Sequence, residues 1–232
     1  PGGTLALQPV TWLGDYDTAR MWFIFVQAAG ILAAVLLLLR LCRVPLNSWI
    51  VPLTLSLTFL TESATSTLRF ANVNGTLMLA QVLFIVLLLG GRRTLAGIVL
   101  GLAITVKPIV APLLFLAFVR KDWSTIVWAF GIPVAFNIVA GPLAADPMGY
   151  INRTIPYLGE VRLHANASIS GELLYFGAPE LLVKLWLIAF AAPVIFALIL
   201  LLRWQWRDEG FWALSTSGVL LTGVLLLGSL GQ

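Results

Sequence analysis

Read for its alternation of apolar and polar positions, the chain is a series of long apolar runs separated by short basic turns and two extended polar segments. Runs long enough to cross about 30 Å of hydrocarbon are predicted near residues 22–39, 76–91, 124–145, 181–202 and 211–230, with a weaker one at 46–60 and a further apolar stretch at the start. None shows the strict alternation of a half-buried strand, so the predicted class is all-α and polytopic, with no internal repeat, low-complexity tract or soluble domain. The expected organisation is one transmembrane domain over residues 1–232. The opening "PGGTL" and the closing "GSLGQ" read as cuts within a longer chain, with a first span and loop before Pro1 and further spans after Gln232.

Composition strengthens this reading. Of 232 residues 60% are hydrophobic and 10% charged, where a soluble domain carries about a quarter charged residues. The net charge of +4 then reflects basic loops on the cytoplasmic side of a membrane, and no nucleic acid partner is expected. One cysteine, Cys42, excludes an internal disulfide and a thiolate cluster.

Lys and Arg resist translocation and so report topology. Four basic clusters, Arg40 with Arg43, Arg92 with Arg93, Arg120 with Lys121, and Arg203 with Arg207, are all expected on the cytoplasmic side. Residues 22–39 then run inward, 46–60 outward, 76–91 inward, 124–145 outward and 181–202 inward.

The parity holds only if the run "LAGIVLGLAITVKPIVAPLLFLAFV", residues 95–119, enters and leaves on one side, because basic pairs flank both its ends. Each half, about 12 residues on either side of Lys107-Pro108, makes roughly 18 Å of helix, too short to cross. A re-entrant or broken-helix hairpin with Lys107 near its tip is one reading. A long tilted span with a proline kink and a snorkelling lysine is the other. A lysine in the middle of a lipid-facing helix costs roughly 2.5–3.5 kcal/mol on insertion scales, which favours the tip of a hairpin lining a polar cavity.

Under this topology two polar segments collect on the outward side with Lys107. They are "TESATSTLRFANVNGT", residues 61–76, and "DPMGYINRTIPYLGEVRLHANASISGE", residues 146–172. Their cations, Arg69, Arg153 and Arg162, suit a lipid phosphate head group; the amides and hydroxyl of Asn72, Asn74, Asn166 and Ser168 suit sugar hydroxyls. The plainer reading of Arg153 and Arg162 is as solvated loop cations touching ordinary phospholipid. Glu62, just past a span end, is either a base and hydroxyl acceptor or a structural helix-end acid. Asp146 reads as an Asp-Pro turn. His164 is the only histidine, so no His-based metal site can be assembled, and no metal ligands are assigned. The glycosylation-like triplets at 74, 152 and 166 lie beside span ends and are discounted. No P-loop, GxGxxG, HExxH or Ser-His-Asp arrangement is present.

These segments, in this order, resemble the polyprenyl-phosphate-dependent glycosyltransferases of the GT-C class, family 87, and within it the actinobacterial α-(1→3)-arabinofuranosyltransferases. The resemblance rests on "PGGTL", "TESATSTLRFANVNG", "GLAITVKP", "DPMGYINRTIPY", "NASISG" and "YFG" at 175–177. It implies a GT-C-like helical bundle in the plasma membrane, transferring arabinofuranose from decaprenyl-phosphoryl-arabinofuranose to a cell-wall arabinan on the outer face. Lipid phosphate leaves as an acceptor hydroxyl attacks, aided by an acidic base. The resemblance puts that acid in a loop ahead of Pro1; Asp15 and Asp17 follow the motif and suit a helix start instead. By position, Lys107 is expected at the donor phosphate with Arg69 and Arg153, and Glu62, Asn72, Asn74, Asn166 and Ser168 along the sugar or acceptor pocket. No tightly bound cofactor is expected, and a divalent metal is left open. A polyprenyl-phosphate-mannose-dependent mannosyltransferase and, in another class, a transporter or lipid flippase built on a broken helix remain as alternatives.

Overall fold

The computed structural model describes residues 2–143, 169–228 and, between them, 146, 148, 149, 152, 153, 156, 157, 160, 161, 166 and 168. The described residues are helical, without strands. They fall into two compact units, Pro1–Val110 with Arg120–Ala140, and Ala111–Val119 with Gly141–Gln232.

In the first unit, α1 (Gly2–Leu7) is followed by a 3₁₀ turn and α2 (Tyr16–Leu41), whose 26 residues rise about 39 Å. Asp17 in its first turn and Arg40 in its last oppose the helix dipole at each end. The weak run at 46–60 becomes α3 (Ile50–Leu60), 11 residues and about 16 Å. It stops at Thr61, whose extended backbone turns the chain and whose hydroxyl accepts from the Ala64 amide at 3.3 Å to start α4 (Glu62–Arg69). About two-thirds of the polar segment 61–76 is therefore helix, in α4 and the start of the next helix. Ile31, Val35 and Leu39 of α2 pack with Val51 of α3 and Ala64 of α4.

The predicted run at 76–91 is α5 (Asn74–Leu89), 16 residues or about 24 Å, ended by Gly90 and Gly91 and shorter than a full crossing. In lipid, apolar side chains gain little by leaving their surroundings, so helices associate where small residues let backbones approach. α2 and α5 meet this way. A Cβ on Gly30 would lie 2.9 Å from the Gly75 carbonyl, and one on Gly75 would collide with the Gln27 carbonyl.

Next come α6 (Arg93–Val106), a 3₁₀ segment over Pro108–Leu113, α7 (Leu114–Val119) and α8 (Trp123–Ala140). The Arg93 guanidinium meets the buried Asp122 carboxylate at 2.8 Å, and Arg120 meets its other oxygen at 3.2 Å. The Thr125 hydroxyl donates to the Arg93 carbonyl at 2.9 Å, and the Thr94 and Ser124 hydroxyls lie 3.2 Å apart. Farther along, Gly97 faces Thr125 and Trp128, while Gly101 faces Trp128, Ala129 and Ile132. α6 and α8 thus start together and run the same way, so the chain between them must return. The lengths agree: 14 α-helical residues rise about 21 Å, and six 3₁₀ residues with six α-helical ones also rise about 21 Å. Residues 95–119 are a broken hairpin. The single kinked span is ruled out.

The opening stretch is no span. α1 packs on α6 and α8, its Gly2 amide donating to the Asn137 side chain at 3.2 Å.

In the second unit, α7 and α9 (Ile169–Tyr175) accompany two helices long and apolar enough to cross a membrane, α10 (Glu180–Leu202) and α11 (Glu209–Leu227). Tyr16–Leu41 and Trp123–Ala140 also meet that length. α10 is apolar all round and Val183 is its one buried residue, as suits a helix facing lipid. Asp208 caps α11, accepting from the Phe211 amide at 2.9 Å. Beside it the Trp204 and Phe211 rings lie 5.4 Å apart, with Arg207 over Trp204 at 5.7 Å. These groups suit a membrane interface.

Candidate functional site

The site is built on the end of α6. Pro108 disfavours helical geometry at the residue before it, so the helix closes at Val106 and Lys107 is extended, with φ −140° and ψ 104°. Its amide still donates to the Ala103 carbonyl at 2.8 Å, which anchors the backbone. The antiparallel neighbour α5 brings its first residue level with this break. There the Lys107 ammonium donates to Asn74 Oδ1 at 2.9 Å.

Among the described residues, Lys107 is held by this neutral amide and by no carboxylate. An ammonium has three donors. One is used on Asn74, its charge is not cancelled, and the side chain is half-buried. Chemically this is a cation poised to receive an anionic oxygen.

Asn74 is itself fixed from α2. Val73, the residue before α5, gives no side-chain cap; instead Gln27, fully buried, accepts from the Thr76 amide at 2.9 Å and its hydroxyl at 3.3 Å. Gln27 was not singled out in the sequence, although a glutamine within the apolar run 22–39 is a visible signal. Asp122 gives a weaker signal, an acid directly after Arg120 and Lys121 and just ahead of a helix.

The other candidate residues of this unit do less. Arg69 is exposed at the end of α4, its guanidinium 5.6 Å from the Phe70 ring centre and its carbonyl accepting from Arg20 at 3.2 Å. Asn72 is half-buried, its backbone N–H donating to the Thr67 carbonyl at 2.9 Å. Glu62 is exposed in the first turn of α4, and among the described residues its carboxylate makes no ion pair.

In the second unit, Arg153 is exposed and 4.0 Å from the Asp146 carboxylate. Asp146 accepts from the Gly149 amide at 2.9 Å, the turn its sequence suggests. Asn166 and Ser168 are buried and have local work. Asn166 Oδ1 accepts from the Ser168 amide at 3.1 Å, and the Ser168 hydroxyl accepts from the Gly171 amide at 3.1 Å to cap α9. Arg162 and His164 lie outside the described residues, among which no three His, Cys, Asp or Glu side chains gather to hold a metal.

The chain is also similar to proteins already known. The profile of glycosyltransferase family 87 matches residues 1–229. An α-(1→3)-arabinofuranosyltransferase of Corynebacterium glutamicum is 42% identical over 232 residues, covering all of this chain and 56% of the relative. Proteins of the same name from Mycolicibacterium smegmatis and Mycobacterium tuberculosis are 43% and 40% identical, again over the whole chain and 55% and 54% of their own lengths. The chain thus spans about half the length of the curated relatives it matches. No solved structure matches it significantly. The chain belongs to glycosyltransferase family 87.

Proposed function

We propose that the full-length protein is a multi-pass glycosyltransferase of the plasma membrane. It transfers arabinofuranose from decaprenyl-phosphoryl-arabinofuranose to an arabinan acceptor through an α-(1→3) linkage, on the extracytoplasmic side. The family match and the names of the relatives support the reaction class and the sugar. The observation that carries the site is the pairing of Lys107 with an uncharged amide, which leaves the lysine charge for a phosphate.

In the reaction an acceptor hydroxyl oxygen bonds to the anomeric carbon as the bond from that carbon to the phosphate oxygen breaks. The electron pair stays with the phosphate, and the hydroxyl proton passes to a general base. Lys107 lies against the phosphate and stabilises the charge that grows on it. Within the first unit Arg69 supplies further positive potential, and Glu62, Asn72 and Asn74 are of the types that suit a sugar or acceptor; in the second unit the Arg153 cation, the Asn166 amide and the Ser168 hydroxyl are of the types that suit the same substrates. No tightly bound cofactor takes part, and the polyprenyl tail lies among membrane lipids.

The test is direct. Membranes containing the full-length protein, given labelled decaprenyl-phosphoryl-arabinofuranose and a synthetic arabinan, should yield an α-(1→3)-branched product. Transfer from polyprenyl-phosphate mannose in its place, or no transfer at all, overturns the assignment.

A further inference from the structure

We propose that Gln27 is a positioning residue for Lys107: its side-chain amide caps the first turn of α5 and so fixes Asn74, which holds the lysine amine. For catalysis this rests on the reading of Lys107 given above; for geometry it stands alone.

Gln27 grips that turn twice. Its backbone carbonyl lies so close to Gly75 that no side chain fits there, and its side-chain oxygen takes the Thr76 amide. These two residues directly follow Asn74. The amide orientation follows from chemistry, because the Thr76 N–H can only donate and must face the oxygen. With α5 held on one side by α2, the Asn74 side chain reaches Lys107 on the next helix.

The cap is a poor device for stability. Gln27 is fully buried, and turning its oxygen to Thr76 strands the other half of the amide: Nε2 is buried, and among the described residues it has no partner. Leaving a buried donor unpaired costs at least what one hydrogen bond contributes. An apolar residue of similar shape would avoid that cost and still fill the space. What it would lose is the fixed register of the α5 first turn.

The experiment uses full-length protein in membranes, with Gln27→Met, which keeps the volume and loses the acceptor, and Gln27→Glu, which keeps it. Lysine acylation by an amine-reactive ester is read by mass spectrometry at Lys107, with Lys121 and Lys184 as internal references. Gln27→Met should raise labelling of Lys107 about tenfold and leave the references unchanged, while Gln27→Glu should label as the wild type does. Unchanged Lys107 labelling in Gln27→Met overturns the proposal. So does an equal rise at all three lysines, which reports loss of fold.

In transferase assays Gln27→Met should lower kcat with little change in the donor KM, and add nothing in a Lys107→Met background. Additive losses overturn the proposal. A wild type without transferase activity overturns the functional reading alone, because the labelling still decides the positioning.

Discussion

The Lys107 ammonium donates to Asn74 Oδ1 at 2.9 Å across 33 positions of sequence, joining the break after α6 to the first turn of α5. A neutral partner steadies the lysine without consuming its charge.

This relationship makes the nature of the residue at 74 decisive. Asn74→Ala should loosen the amine and lower kcat about tenfold. Asn74→Asp should be worse, because an ion pair with Lys107 cancels the charge that the proposed reaction uses on phosphate. If Asn74→Asp is as active as the wild type in steady-state assays, the charge serves structure instead.

Lys107→Ala should cut turnover by roughly 10²–10³-fold, the range for losing one preorganised charge partner of a leaving group. Expression and thermal unfolding should change little, because the group leaves a half-buried site without breaking a carboxylate pair. Unchanged kinetics would mark Lys107 as a membrane anchor.

The hairpin can be locked chemically. With Cys42 replaced by Ser, a Thr94→Cys/Ser124→Cys pair should form a disulfide on mild oxidation, since the two native hydroxyls lie 3.2 Å apart. Peptide mass spectrometry reads the bond. Labelling of the two cysteines from opposite faces of the membrane would refute the hairpin.

Asp122 closes the base of that hairpin between Arg93 and Arg120. Asp122→Ala should destabilise the protein by about 1–3 kcal/mol, as a lost pair of charge-assisted hydrogen bonds. The cost stays in that range because Arg93 is 62% exposed and can be hydrated once freed. Thermal unfolding in detergent measures it, and a variant as stable as the wild type would show the clasp to be incidental.

The α2–α5 crossing is the tightest point of the first unit. Gly75→Ala should therefore destabilise by at least about 1–3 kcal/mol, since a methyl there meets backbone that cannot swing aside. Gly131→Ala, on an open face of α8, is the control and should be neutral or slightly stabilising.

Much of this was legible in the chain. Apolar runs locate membrane helices because an unpaired backbone in hydrocarbon is costly, and basic residues mark the side that is not translocated. From those two facts came the hairpin at 95–119 and the place of Lys107. The polar segment 61–76 was legible only in part, because the helix break at Thr61 depends on a local cap that short-range hydrophobicity does not report. Asn166 and Ser168 illustrate the same gap: residue types that suit a sugar also cap a helix, and their oxygens accept from Ser168 and Gly171 amides.

By itself, then, the sequence determined a helical membrane protein, the sidedness expected of its loops and an unusual lysine at a helix break. All of these follow from the cost of placing polar groups in lipid. Only the tertiary structure decided what surrounds that lysine. Asn74 meets it across 33 residues, Gln27 caps α5 across 49, and Asp122 clasps Arg93 across 29. Such partners are chosen by where helices cross, and the crossings are set by backbone contacts at glycines that no periodicity along the chain encodes.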